Sequence, residues 1–421
     1  MSLEKSLRRS RWRLLTENRD LSLFLSASLV SQTGDWILDT GMAFQVYLLT
    51  HSTLASAAVM LATQIPQVVL GSVAGVIVDR HDRRRMMIGT NVISALVIWP
   101  VALVQDSGSV WIILVVAAVT NCVSPFFSSA EASLLPGLAR RPENFVTVNA
   151  LHAQVRNVAR LIGAALGGIL ITVGGLTALA VADTASFLVA AVLVVAIRHR
   201  LASTPTRRTG LLAEWRAGLA IVRHNRVLLV LAAFFLLRGV GEGAMGTLFA
   251  PFVNDVLGAG GSVYGAILAA QAIGGIVGGL VITLAGRRAS PRRLFAWGTL
   301  AFGILDLALF LYPLIDASSW PAVLLIAVVG VPGAALNAGM LTLFQSTTGD
   351  LTRGRVFGLL VSAENATMLL STLLAGTLAG SVGIIPVIST QGVVYVLTSV
   401  IALTVLSRRR RSGGVLVSEP V

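Results

Sequence analysis

The chain has one cysteine, Cys122, one lysine, Lys5, and charge at only 12% of its 421 residues. Each scarcity excludes something. A single thiol rules out an intrachain disulfide and a cysteine-built zinc cluster. Soluble domains carry about 25% charged residues, so a chain with half that share and 55% hydrophobic residues cannot cover itself with polar surface in water. A mean hydropathy of +0.83 makes lipid the consistent solvent. The five histidines, His51, His81, His152, His199 and His224, lie near predicted helix ends or in loops. They show no metal-ligand spacing, and no Ser-centred nucleophile turn is present. No metal, cofactor or enzymatic chemistry is expected.

What is abundant is apolar sequence in long runs. A crossing helix needs about 20 mostly apolar residues, and twelve such runs can be drawn: 21–49, 53–78, 86–104, 109–132, 148–173, 176–197, 227–253, 263–285, 293–313, 320–344, 356–380 and 384–406. Open sheet is excluded in lipid, and the runs are too long for barrel strands, so an all-α integral membrane fold is expected. The first run is too long for the apolar core of a signal peptide, which predicts an uncleaved first span.

The net charge of +13 does not point to nucleic acid, because the arginines cluster between apolar runs without interleaved aromatics. The clusters fall at both ends of the chain and in every even-numbered loop. The odd-numbered loops hold Asp106, Asp255 and Asp316 and no Lys or Arg. The positive-inside rule then places both termini in the cytoplasm of a multi-pass protein in the cell's inner membrane. The longest polar stretch, 198–226, separates a six-span half, 1–197, from a second, 227–407, followed by a tail at 408–421.

A shift of 207 residues lays the first span on the seventh without a gap. Gly34-Asp35 falls on Gly241-Glu242, Gln64 on Gln271, Gly71 on Gly278 and Arg80 on Arg287. Two halves of one fold are expected, with acids at equivalent depths.

After the second span the chain reads Gly75-Val-Ile-Val-Asp79-Arg80-His-Asp-Arg83-Arg84-Arg85, which resembles the loop signature of the major facilitator superfamily, with Asp82 in place of the second glycine. Ser129-Ala-Glu131-Ala-Ser-Leu-Leu-Pro136, Val148-Asn149-Ala150-Leu151, Leu161-Ile-Gly163-Ala-Ala-Leu-Gly167-Gly168, Asp183-Thr-Ala-Ser186-Phe187 and Arg353-Gly354-Arg355-Val356 are similar to the enterobactin-exporter and Tap-type efflux branch. The resemblance implies two six-helix halves, no cofactor, a monomer, and export of a small molecule driven by proton influx. In the fifth span Ala164 stands where the exporters' antiporter motif has proline. A proton-coupled uptake symporter therefore remains the alternative, as does a siderophore exporter.

Ionised groups at membrane depth are costly and usually face a cavity or a partner. Asp35 and Asp39 are four apart on span one, and Arg238 and Glu242 are four apart on span seven, each pair on one helical face. In the resembling fold these spans face each other across a central cavity. This set and Arg160 are the expected proton-coupling or substrate residues, with a negative balance suited to a lipophilic cation. Met42, Phe44, Met245 and Phe249 are candidates for an apolar wall. Gly75, Asp79, Arg80, Arg83 and Glu131 are the expected cytoplasmic gate. Asp79 would accept from the N-terminal amides of span eleven, and Arg83 would reach Glu131. Gly163, Gly167, Gly168, Gly275 and Gly279 are the expected glycines of close helix contacts. Asp183 and Asp306, in spans six and nine, are read as structural acids bonded to neighbouring helices.

Overall fold

The computed structural model describes residues 18–139, 144–198, 211–285, 290–316 and 318–407. The arginines at 8–13, Arg140, Arg141, Arg287, most of the inter-half linker and the tail from 408 lie outside the described residues.

Local chemistry sets the helix boundaries. Helix α1 spans Arg19–Thr50. Its N-cap Asn18 accepts from the Leu21 amide at 3.3 Å and donates to the Leu138 carbonyl at 2.7 Å. This caps α1 and ties it to the end of α4, Val110–Leu138. His51 turns the chain with a left-handed φ of 45°, and Ser52 caps α2, Thr53–Val78. Asp82 caps α3, Arg83–Ile98, by accepting from the Arg85 amide at 3.0 Å, so the acid that replaces the signature glycine starts the next span. Arg84 Nε donates to the Val194 carbonyl at 3.1 Å, a cation on the orphan carbonyls at a helix C-terminus.

Helix α5, Phe145–Val195, breaks at Gly175, whose φ of 60° and ψ of −156° are open to glycine but not to other residues. The chain reverses there. Gly163 on the first limb abuts Thr33 and Trp36 of α1, whereas Gly34 of α1 abuts Asp183 and Ser186 on the returning limb. After the break come the short linker helix α6, Leu211–Arg223, then α7, Arg226–Pro251, α8, Gly261–Ala285, and α9, Pro291–Leu311. Helix α7 ends in a wider π turn over Phe252–Val256. Helices α10, Trp320–Thr347, α11, Asp350–Val382, α12, Ile384–Ile388, and α13, Thr390–Ser407, complete the chain.

The architecture is all-α, with no strand among the described residues. Among the described residues ten helical stretches are long and apolar enough to cross a membrane. One of them, Thr147–Val195, is the 49-residue double limb of α5. Helix α1 is 32 residues long but too polar for that criterion. Counting the two limbs of α5 separately gives eleven, and α1 has the length of a twelfth. Between 17% and 50% of each apolar window is buried within the protein, so much of the apolar surface faces outward, where lipid satisfies it.

The repeat is visible in packing. Gly34 sets α1 against the return limb of α5, and Gly241 sets α7 against Gln391 and Val394 of α13. The halves meet through α5 with α8 and through α2 with α11. A Cβ on Gly168 would lie 2.7 Å from the Gly265 Cα, and Thr53 Oγ1 donates to the Gly376 carbonyl at 2.8 Å. Of the five glycines expected at close contacts, only Gly168 joins the halves. Gly163 and Gly167 pack on α1, within the first half. A Cβ on Gly275 or Gly279 would meet nothing within 4 Å; their neighbours Gly274 and Gly278 face α10 instead. One residue turns a helix by about 100°, which moves a glycine off the contact face.

A Cβ at Gly163 would sit 2.6 Å from the Thr33 carbonyl oxygen. Gly163→Ala should therefore cost about 1–3 kcal/mol through overpacking, whereas Gly275→Ala should stay within about 0.5 kcal/mol of wild type. Thermal unfolding in detergent, followed by size exclusion, distinguishes the two.

Candidate substrate cavity and its charged groups

A cavity of about 650 Å³ lies between the halves. Its walls come from α1, α2, α4, the first limb of α5, α7, α8, α9, α10, α11 and α13. Trp36, Met42, Met60, Met245, Phe249, Phe302 and Met368 supply apolar surface, and Gln67, Asn121, Asn157, Gln271, Asn337 and Gln391 supply amides. Methionine and aromatic walls adapt to varied shapes, and the volume is that of a drug-sized ligand site.

The ion pairs of the cavity wall are on the second half. Arg238 Nε is 3.5 Å from Glu242 Oε1, one turn along α7, and 3.4 Å from Glu364 Oε1 on α11. Tyr395 donates to Glu242 Oε1 at 3.2 Å from α13. One guanidinium thus joins two carboxylates on two helices. Arg160, on the first limb of α5, donates across the halves to Gln271, and its guanidinium carbon lies 5.2 Å from the Trp36 ring centre.

Of the expected site, Asp39, Arg160, Arg238 and Glu242 line this cavity. Asp35 does not. Four residues along a helix is about 400° of rotation and a rise of about 6 Å; Asp35 lies below Asp39 in a separate chamber of about 150 Å³ within the first half. The cavity wall therefore carries two acids and two arginines, which corrects the negative balance read from the sequence. Met42, Met245 and Phe249 form wall as expected, while Phe44 is buried against Tyr264, ring centres 5.4 Å apart.

Tyr395 and Gln271 were not in the expected set. Glu364, whose lone charge in the eleventh span made it a candidate cavity residue, pairs with Arg238 instead. Asp183 and Asp306 are buried, but neither is bonded to a neighbouring helix in the way expected. Asp183 accepts from Ser186 on its own helix at 3.1 Å, and each acid has one carboxylate oxygen without a partner.

The end of the cavity away from the arginine clusters is closed. Tyr47 of α1 donates to Asp255 in the π turn that follows α7, and the Tyr264 ring packs tilted between Phe44 and Phe249, with ring centres 5.4 and 5.5 Å away. The α5–α8 and α2–α11 glycine contacts lie at the same end. At the opposite end the expected gate is apart. Arg83 Nη1 donates to the Ser133 carbonyl at 3.1 Å rather than to Glu131. Glu131 is buried and accepts from Ser28 and Gln32, with His152 Nε2 at 3.1 Å. Asp79 caps the C-terminus of α2, and Arg80 is exposed beside it. Helix α2 meets α11 at Thr53 and Ala57, its other end, which leaves Asp79 away from the amides it was expected to meet.

Residues 17–413 match the MFS_3 family, described as "Transmembrane secretion effector". The chain belongs to this major facilitator family. This facilitator is 28% identical over 375 residues to the protein named multidrug efflux pump Tap of Mycobacterium tuberculosis, covering 86% of this chain and 87% of that one. It is 25% identical over 358 residues to the protein named macrolide efflux protein A of Streptococcus pyogenes, covering 83% and 86%. Among solved structures, a bacterial homologue of the iron transporter ferroportin in its inward-facing state shares the fold with a TM-score of 0.75 at 16% identity, over 93% of this chain and 99% of that one. The outward-facing state of such a homologue superposes less closely, with a TM-score of 0.60 at 17% identity over 92% and 100%. The family and these relatives are transporters, and so is this multi-pass membrane protein.

Replacing Arg238 with Met leaves Glu242 and Glu364 facing each other without a cation. A loss of about 1–3 kcal/mol is expected, and R238M/E242Q should recover part of it in thermal unfolding. Tyr47→Phe removes a hydrogen bond to a carboxylate, about 1.5–3 kcal/mol of bias toward this conformation. Spin labels spanning the Tyr47 end should then report a longer-distance population raised by roughly tenfold or more.

Proposed function

We propose that this facilitator exports drug-sized amphiphiles from the cytoplasm in exchange for protons, by alternating access. The carrying observation is the 650 Å³ cavity between the halves, sealed at the arginine-free end. The positive-inside rule assigns the arginine-rich end to the cytoplasm; the protein then sits in the cell's inner membrane with both termini inside, and the structure is inward-facing. A cavity poised this way loads from the cytoplasm. The printed names of the relatives, multidrug and macrolide efflux, support export.

In this reading Arg160, Arg238, Glu242 and Asp39 contact the substrate, with Asp35 behind them. Two acids opposite two arginines suit amphiphiles that carry a charge of either sign beside a large apolar body. Gly75, Asp79, Arg80, Arg83 and Glu131 close the cytoplasmic end in the opposite conformation. There the amides at the start of α11 come within reach of Asp79, and Arg83 leaves the Ser133 carbonyl. The transporter acts as a monomer whose partners are the small-molecule substrate, protons and the bilayer.

The test uses inside-out vesicles with an imposed pH gradient, loaded by addition of tetraphenylphosphonium or, separately, erythromycin. Gradient-driven accumulation is expected for the full-length protein, with D39N and E242Q lowering it at least tenfold. Accumulation that needs substrate and proton gradients in the same direction would reject antiport in favour of the uptake symporter. Accumulation indifferent to the gradient would reject proton coupling.

A further inference from the structure

The two halves of the repeat treat charge at membrane depth differently. In the second half Arg238 is shared between Glu242 and Glu364. The 207-residue offset puts Asp35 in the place of Glu242 and Ser31 in the place of Arg238. The first half thus keeps the acid and lacks the cation.

The structure adds a third acid to Asp35 and Asp39. Asp183, on the return limb of α5, is 1% exposed and lines the same 150 Å³ chamber. It can do so because Gly34 has no side chain: a Cβ there would collide with the Asp183 carboxyl and lie 2.7 Å from the Ser186 Cβ. One Asp183 oxygen accepts from Ser186 Oγ at 3.1 Å, and Oδ2 is buried with no partner. Asn91 of α3, also 1% exposed, has an amide nitrogen in the same state. Helices α2 and α3 bring only neutral polar groups to this chamber. Glu131 of α4 lies outside it, engaged by Ser28, Gln32 and His152. Arg160 belongs to the adjoining cavity and is turned to Gln271 and Trp36.

Asp183 is buried, whereas Asp35 and Asp39 are open to the chamber. A buried carboxylate without a counter-cation is costly, by several kcal/mol, and three acids lining one small chamber repel one another unless something removes charge without needing space. No three acids, histidines or cysteines among the described residues are placed to hold a metal ion. We propose that Asp183 and Asp35, with Asp39 at the boundary, hold the exchanged proton in this chamber, which adjoins the substrate cavity. This rests on the proton-exchange reading above and extends it with a residue and a location. A proton entering from the arginine-free side converts one carboxylate to the acid, and its departure to the cytoplasm restores the charge. Asp39, Met42, Gln67 and Asn121 line both the chamber and the cavity, so the proton's presence is felt by substrate at Asp39.

The experiment is infrared difference spectroscopy of the full-length protein in liposomes, stepped between acid and alkaline buffer in H2O and D2O, paired with the vesicle assay. A deuterium-sensitive band of buried, protonated carboxyl is expected in wild type. D183N and D35N should each reduce it. In vesicles D183N should abolish gradient-driven accumulation while equilibrium tetraphenylphosphonium binding stays within about threefold of wild type. If D183N does not fold, S186A keeps the carboxyl but frees its second oxygen, and should shift the band and its pH midpoint while preserving transport. An unchanged carboxyl band in D183N, or in S186A where that variant is used, overturns the proposal. So does a band displaced by sodium at constant pH, which would make the chamber a sodium site. If wild type shows the band but no gradient-driven transport, the export reading fails and the chamber stands.

Discussion

Arg238 sits between Glu242 and Glu364, 3.5 and 3.4 Å away, with Tyr395 on the far side of Glu242. The constraint behind this contact governs the whole molecule. At membrane depth an ionised side chain needs a partner of opposite charge, a polar cavity or a route to the interface. The second half answers with an arginine shared between α7 and α11. That contact ties α7 to α11 at the wall of the cavity and offsets one of the two carboxylate charges. The first half has serine at the equivalent position and answers with a polar chamber.

The same constraint shapes the rest of the interior. Arg160 spans the gap to Gln271 and lies over the Trp36 ring, a site where a guanidinium is stabilised by the face of an aromatic. Arg84 is spent on the last carbonyls of α5, and Arg83 on the Ser133 carbonyl. Side chains that would otherwise be liabilities in lipid thus become cross-links between helices, and the arginine clusters serve packing as well as topology.

Closure depends on small residues and aromatics. At the arginine-free end Gly168 lets α5 and α8 touch backbone to backbone, Gly376 does so for α11 and α2, and the Tyr47–Asp255 hydrogen bond with the tilted Phe44, Tyr264 and Phe249 rings covers the cavity. Directional polar contacts and flat backbone surfaces separate as units, which suits an end that must open. The opposite end is held by contacts within each half, so the halves can rock about the closed end without breaking either half's own packing.

The sequence by itself determined the solvent, the all-helical class, the division into halves and the side on which the arginines collect. These follow from composition and periodicity, which do not depend on how helices are arranged. It also marked Asp39, Arg160, Arg238 and Glu242 as cavity residues, because a lone charge in an apolar run is conspicuous whatever its neighbours. Only the tertiary structure decided which face each residue presents. A one-residue step is about 100° of helix: it separates Gly274 from Gly275, and so a helix contact from open space. It also decided partners distant in the chain, such as Arg238 with Glu364 and Gly34 with Asp183, because helix spacing along the sequence says nothing of which helices pack. The balance of charge in the cavity came from the same source, since Asp35 faces the adjoining chamber instead of the cavity, an orientation no linear pattern records.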